Sequence, residues 1–195
     1  KVAQIIESSK KRGLRIEWSF LLDSLQIERD QGVTVDSTRI PFRLDTREYV
    51  IVDAPGHRQF LRNMITGAAD AEAAVLVVDA VEGAREQTRR HAMLLHLIGI
   101  RHVIVLLNKV DLLDFDQAKV EAVEVSVNEL LGKLGLEAAY FVPASARDGD
   151  NIASRSERMP WYSGPTRTEA LARVPTQASR LERAPRLPVQ DVCRL

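Results

Sequence analysis

Two polar motifs, each following a run of β-branched and aliphatic residues, have the residue types and the order needed to hold a nucleotide. The first is Asp53-Ala54-Pro55-Gly56-His57, the second is Asn108-Lys109-Val110-Asp111, and a third candidate is Ser145-Ala146. Taken alone, Asp-x-Pro-Gly is a common turn after a strand, and Asn-Lys-x-Asp is often a solvated turn. Their order and their shared position after apolar runs favour one guanine-nucleotide site.

The second motif suits the recognition of guanine. Guanine presents two adjacent donors, N1–H and the exocyclic N2–H₂, and the Asp111 carboxylate can accept from both, in charge-assisted bonds worth about 1.5–3 kcal/mol each. Adenine would leave that carboxylate unpaired, so we expect the site to reject ATP. Asn108 can bond the outer edge of the base and neighbouring backbone, and the stem of Lys109 can cover the ring face. Ser145-Ala146 would supply a backbone N–H to the guanine carbonyl oxygen.

The first motif suits the phosphates and Mg²⁺. Asp53 can make an outer-sphere contact to Mg²⁺, an ion that keeps several waters and is held largely by phosphate oxygens. Gly56 lets a backbone N–H approach the γ-phosphate, and His57 could orient the attacking water. Thr34, after Gly32, offers a hydroxyl that could bind Mg²⁺ directly. The sequence therefore predicts GTP and Mg²⁺ as ligands, with switches near Thr34 and His57.

One expected part is missing from the sequence. No G-x-x-x-x-G-K-[ST] loop, which would cradle the nucleotide phosphates, precedes Asp53.

Strands and helices that alternate along the chain position these motifs. The apolar runs at residues 73–80 and 102–107 are continuous, as in strands covered on both faces. We also predict a hairpin from residues 38–44 and 49–53, helices over residues 85–98 and 117–134, and a short strand over residues 140–143. This order predicts a three-layer α/β fold with a mainly parallel sheet, in which ligands bind beyond the carboxyl ends of the strands.

In the helix predicted over residues 85–98, the apolar positions should lie on one side and the charged ones on the other. The predicted apolar side contains Ala92, Met93, Leu94, Leu97 and Ile98. Two further helices are predicted within residues 1–30, and a short one over residues 167–173.

Composition is that of a globular protein of 195 residues, with 45% hydrophobic and 28% charged residues. Lys+Arg and Asp+Glu are 27 each, so net charge predicts neither a nucleic acid nor a membrane partner. No apolar run approaches the roughly 20 residues of a membrane span, and the single cysteine, Cys193, fits a reducing compartment. We expect a cytoplasmic protein.

Four segments together resemble the translation-factor class of GTPases. They are residues 32–35 (GVTV), 53–57 (DAPGH), 63–68 (NMITGA) and 108–111 (NKVD). Within that class, residues 25–32, 87–91 and 112–115 look most like the large GTPase subunit of bacterial sulfate adenylyltransferase. Residues 149–151 and 159–162 are shared with elongation factor 1-alpha and do not discriminate, and Trp161 and Tyr162 are expected to serve local packing.

The resemblance implies that GTP hydrolysis drives adenylyl sulfate formation from ATP and sulfate in a separate catalytic subunit, which would be the partner. It implies a partial GTPase domain over residues 1–173 and the start of a β-barrel domain over 188–195. The Pro-, Arg-, Ala- and Ser-rich composition of residues 174–187 predicts a linker between them. The alternatives are a translation elongation factor delivering aminoacyl-tRNA and an inactive truncated fragment.

The resemblance places the phosphate loop and its strand upstream of Lys1. Without that strand, the edges of the strands at residues 49–53 and 73–80 should be unpaired. We therefore expect the 195-residue chain to fold poorly and to bind GTP weakly.

Overall fold

The computed structural model describes residues 37–44, 46–56, 61–69 and 71–175. Several predicted features lie outside the described residues. They are Thr34, His57, the helices predicted within residues 1–30, residues 176–187 of the predicted linker and the predicted barrel stub at residues 188–195.

The first described element is the predicted hairpin. Strands β1 (Thr38–Leu44) and β2 (Arg47–Asp53) are antiparallel, with Thr38 opposite Asp53 and Leu44 opposite Arg47. Phe42 and Tyr49 face each other across the pair and stack with ring centroids 5.0 Å apart. This pairing holds Asp53, the first residue of the first motif, at the end of β2.

A parallel sheet forms the second group of strands, and this part of the predicted fold is confirmed. Its strands are β3 (Ala73–Asp79), β4 (His102–Asn108) and β5 (Ala138–Ala144), in the order β3-β4-β5. The central strand, β4, is buried from Val103 to Leu107, as its continuous apolar run indicates. Strand β5 begins two residues before the predicted strand, at alanines that carry a weak strand signal.

Helices flank the sheet. They are α1 (Leu61–Ala68), α2 (Glu86–Ile98), α3 (Gln117–Lys133) and α4 (Arg167–Ala172), with a 3₁₀ helix at Val110–Leu113. Gly99 ends α2 in the left-handed conformation (φ 84°), and the Asp116 side chain caps the start of α3 by accepting from the Lys119 N–H. Helix α1 and the 3₁₀ helix were not predicted. None of the helices in the described ranges is long and apolar enough to cross a membrane.

The predicted apolar face of α2 was wrong in part. Ala92 and Leu95 are buried in the main core, whereas Met93 and Leu97 are exposed, Leu97 by 70%. The inward stripe runs through Thr88, Ala92 and Leu95, at helical spacing, because this is the side of α2 that packs on β3. Apolar side chains adjacent in sequence point in different directions on a helix, so Met93 and Leu97 fall outside the stripe.

The two sheets are not joined to each other within the described residues. Strand β2 pairs with β1, strand β3 pairs with β4, and no ladder connects β2 to β3. Val50 of β2 and Val77 of β3 are 58% and 56% exposed. This matches the expectation of unpaired edges at both strands. The hairpin is held instead through α1, where the Ser37 hydroxyl donates to the Asn63 carbonyl across 2.8 Å.

Residues at the end of the described chain return to the core. Val174, the first residue of the predicted linker, is buried beside β4 and β5 together with Ala170 of α4. Its carbonyl accepts a hydrogen bond from Arg47 of the hairpin across 2.6 Å. The division into domain, linker and stub stays a prediction.

Candidate functional site

The carboxyl ends of the three parallel strands lie level with one another. Asp79 of β3 pairs in register with Asn108 of β4, and Asn108 with Ala144 of β5. The loops that follow β4 and β5 therefore start side by side on one edge of the sheet. These loops carry the predicted base-binding residues.

A direct hydrogen bond joins the two loops. The Ala146 backbone N–H donates to Asn108 Oδ1 across 2.9 Å, between residues 38 positions apart in the chain. The structure thus brings the second motif and Ser145-Ala146 together, as the interpretation required. The Ala146 N–H is one of the two N–H groups predicted to bind the guanine carbonyl, so a base that uses it must share or replace the bond to Asn108.

The ammonium group of Lys109 is fixed by an ion pair with Asp79. Lys109 has a positive φ of 68°, and its ammonium donates to the Asp79 carboxylate across 2.6 Å. Partial burial raises the pKa of Asp79, but the bonds from Lys109 and from the N–H groups of Val81 and Glu82 outweigh burial and leave that pKa below its ordinary value. The bond to Asp79 and its charge raise the pKa of Lys109. The lysine side chain therefore spans the ends of β3 and β4 as a cation.

Asp111 lies in the first turn of the 3₁₀ helix Val110–Leu113. The neighbouring Val110 is fully buried and anchors this turn in the main core. The Asp111 side chain is half-buried, and no described residue donates a hydrogen bond to its carboxylate. Both oxygens are therefore available to the paired donors of a base.

Ser145 has a buried hydroxyl whose hydrogen-bonding capacity is unused. Its Oγ has no partner among the described residues, although the residue is fully buried. A buried polar atom without a partner costs about 1–3 kcal/mol, so its presence needs a reason. The atom lies in the loop that is joined to Asn108 by the Ala146 N–H.

The first motif is held by α2. The Gly56 carbonyl accepts from Gln87 Nε2 across 2.9 Å, and His91, in the tautomer protonated at Nε2, donates to the same oxygen across 3.0 Å. Gln87 and His91 are four residues apart and therefore share one face of α2. In the sequence, residues 87–91 supported only the family resemblance. The four-residue spacing of Gln87 and His91, which puts both on one helix face, was the signal that could have indicated this contact.

A cleft of about 250 Å³ is lined by residues from the ends of β3 and β4 and from α2. Its lining includes Asp79, Asn108 and Lys109 at the strand ends and Gln87 and His91 of α2. The residues that hold Gly56 and those that begin the base-binding loop therefore face a common space.

The predicted magnesium site is represented by Asp53 alone, since Thr34 lies outside the described residues, as does the predicted catalytic residue His57. Within the described ranges, no group of three or more His, Cys, Asp or Glu side chains could hold a metal ion. An outer-sphere carboxylate fits Mg²⁺, because that ion takes most of its ligands from phosphates and water. The metal prediction therefore stays a prediction.

Comparison with known proteins identifies the family. The model of the elongation factor Tu GTP binding domain matches residues 1–178. The chain is 42% identical over 186 residues to elongation factor 1-alpha from Pyrococcus horikoshii, and 40% identical over 192 residues to that from Pyrococcus furiosus. These alignments cover 95% and 98% of this chain but 44% and 45% of the relatives, so the chain spans less than half of their length.

Solved structures agree with the family match. A bacterial selenocysteine-specific elongation factor, EF-Sec, aligns with a TM-score of 0.53 and 29% identity, covering 62% of this chain and 21% of that one. Elongation factor SelB from Methanococcus maripaludis, in complex with the GTP analogue GPPNHP, aligns with a TM-score of 0.54 and 29% identity, covering 60% and 25%. Together with the arrangement of the two motifs, these matches show that the chain belongs to the elongation factor Tu GTP binding domain family.

Proposed function

We propose that this chain recognises guanine nucleotides through the loops after β4 and β5 and is the GTP-hydrolysing domain of a translation-factor-type protein. The observation that supports this most directly is the hydrogen bond from the Ala146 N–H to Asn108 Oδ1. Asn108 and Asp111 belong to one loop, so this bond supports a site in which Asp111 and Ser145-Ala146 contact the same base. Membership of the family supports GTP as the nucleotide.

Each residue of the site has a distinct task. Asp111 accepts from N1–H and N2–H₂ of guanine, Asn108 holds the two loops together, and Lys109 contributes its stem beside the ring and its charge near Asp79. Asp53 and Gly56 face the phosphate end, where α2 fixes the Gly56 carbonyl. Mg²⁺, when bound, would neutralise phosphate charge during hydrolysis.

The test compares GTP with ATP. Because the sequence contains no phosphate-cradling motif, we expect weak binding, which saturation-transfer NMR at millimolar nucleotide can measure. Wild type should bind GTP in preference to ATP, and Asp111→Asn should lose that preference, since an amide presents a donor where guanine presents one. Asp114→Asn, the same change at an exposed position three residues along, is the control. Equal binding of GTP and ATP by wild type contradicts the proposal.

For the physiological role, we place translation elongation first and sulfate activation second. The first is supported by relatives named elongation factor 1-alpha, at 40–43% identity. The second is supported by residues 25–32, 87–91 and 112–115, and its partner would be the catalytic subunit of sulfate adenylyltransferase. GTP turnover by the protein that contains this domain separates them: stimulation by ribosomes supports the first, and stimulation by ATP, sulfate and the catalytic subunit supports the second.

A further inference from the structure

Residues 158–162, here called the bridging segment, contact both loops of the proposed base site. One loop, residues 109–116, follows β4 and contains Asp111. The other, residues 145–151, follows β5 and contains Ala146. From the sequence, Trp161 and Tyr162 of this segment are expected to serve local packing, and the contacts of the segment show what it packs against.

The contacts with the first loop converge on Phe115. The Arg158 guanidinium lies over the Phe115 ring, 4.4 Å from its centroid, and the Trp161 indole N–H donates to the Phe115 carbonyl across 3.0 Å. The Phe115 N–H donates in turn to the Val110 carbonyl across 3.1 Å. Phe115 thus closes the turn that contains Asp111, and the bridging segment holds it by ring and carbonyl.

The contacts with the second loop converge on two carboxylates. Arg158 Nη2 donates to Asp148 across 3.1 Å and to Asp150 Oδ2, and Arg158 Nε donates to Asp150 Oδ1 across 3.3 Å. The Asp150 N–H donates to the Ser145 carbonyl across 3.1 Å. The Asp150 side chain is only 10% exposed. One guanidinium therefore holds the loop that presents Ala146 while it lies over the ring of Phe115.

We propose that Arg158 is a positioning residue for guanine recognition, which tethers the Asp111 loop to the Ala146 loop. This inference rests on the proposed function, because it requires guanine to lie between these loops. Exposed ion pairs contribute little to stability, and Arg158 is 47% exposed, so its effect should be on geometry more than on folding. Two donors from one base edge reach Asp111 together only if the loop is held within about 0.5 Å of the productive geometry.

The experiment compares GTP with ITP, which lacks the exocyclic N2–H₂. Because ITP loses one of the two bonds to Asp111, the ratio of GTP to ITP affinity reports on the alignment of that carboxylate. We expect Arg158→Met to lower the ratio by about 3- to 10-fold, equivalent to part of one charge-assisted hydrogen bond. The matched control is Arg155→Met, which removes the same charge from an exposed arginine three residues earlier. It should leave the ratio unchanged.

The ratio separates positioning from a structural role. A variant that merely unfolds part of the sample loses both affinities by the same factor and keeps the ratio. Arg158→Lys keeps the charge but cannot engage two carboxylates and a ring with one planar group, so an intermediate ratio is expected. If Arg158→Met does not fold, the lysine variant decides, and a wild-type ratio in it overturns the proposal.

The outcomes also separate this inference from the proposed function. Equal affinity of wild type for GTP and ITP overturns both. A selective wild type with an equally selective, folded Arg158→Met overturns the positioning role alone. As an independent check, Phe115→Leu alone should lower the ratio of GTP to ITP affinity. Arg158→Met should lower that ratio by a smaller factor in the Phe115→Leu protein than in wild type, because the two side chains act through one contact.

Discussion

Asn151 is the residue whose replacement should most disturb the loop after β5. It is 1% exposed and has a φ of 55°, in the left-handed region. Its Nδ2 donates to the Pro143 carbonyl across 2.9 Å, and its Oδ1 accepts from the Ser156 N–H across 2.9 Å. Its own carbonyl accepts from the Arg167 N–H at the start of α4. The side chain therefore connects β5 to the polypeptide that leads into the bridging segment.

Asn151→Ala should lower the free energy of unfolding by about 3–6 kcal/mol. Leaving the buried Pro143 carbonyl unpaired costs about 1–3 kcal/mol, and losing the half-buried Ser156 bond about 1 kcal/mol. Alanine in the left-handed region adds about 1–2 kcal/mol, because it lacks the local hydrogen bonding that lets asparagine adopt that conformation. The sum is a large share of the roughly 5–15 kcal/mol that stabilises a typical domain.

Urea denaturation, followed by tryptophan fluorescence and circular dichroism, measures this change. With a slope of about 1–3 kcal/mol per molar urea, the midpoint should fall by about 1 M or more. Asn128→Ala, at an exposed position on α3, is the control and should leave the midpoint unchanged or raise it, since alanine favours helices. A midpoint for Asn151→Ala within about 0.3 M of wild type would show that this network does not stabilise the fold.

Three further outcomes are expected. Gly67→Ala should destabilise the chain by about 1–3 kcal/mol in the same assay and speed hydrogen exchange in β1 and β2, because its Cβ would collide with the Ser37 side chain; unchanged exchange would contradict this contact. Burial, with the nearby Glu124 charge, raises the pKa of Tyr162 from 10.0 to about 12. Because the tyrosine then ionises first in the unfolded chain, the free energy of unfolding should fall as pH rises from about 10 to about 12. The free energy of unfolding of Tyr162→Phe should fall less over that range, and parallel curves of stability against pH for the two proteins would refute the assignment. Because the pKa of Asp79 is lowered in the folded protein, its stabilising effect is present above pH 3.8 and is lost as pH falls through the pKa of the folded state. Asp79→Asn should therefore lose less stability than wild type between pH 5 and pH 2, which acid unfolding followed by circular dichroism can measure.

The sheet was predictable from local composition. The apolar run of β4 and the turn between β1 and β2 are local signals, and Gly99 and Asp116 mark helix ends by their own conformational and capping preferences. The 3₁₀ helix at Val110–Leu113 was not predictable in this way. It depends on positive φ values at Lys109 and Asp114, which neither residue type demands.

The residues of the candidate site were predicted from the sequence and stay a prediction, whereas several of the contacts among the described ones were not predicted. Asn108, Asp111 and Ala146 were identified from motif order, and the level ends of β4 and β5 bring their loops together. The contact of Gln87 and His91 with Gly56 was not predicted, because it depends on where α2 lies against the end of β2. Such packing is set by the side chains between the elements and not by either motif.

The sequence by itself determined which chemistry is available, since a carboxylate at Asp111 and an amide at Asn108 have the acceptors and donors that guanine needs. It also determined the alternation of strands and helices, because apolar periodicity is a local property. Only the tertiary structure decided that Ala146 bonds Asn108 and that Arg158 contacts both loops. These contacts join residues far apart in the chain, and their geometry arises from packing over the whole fold.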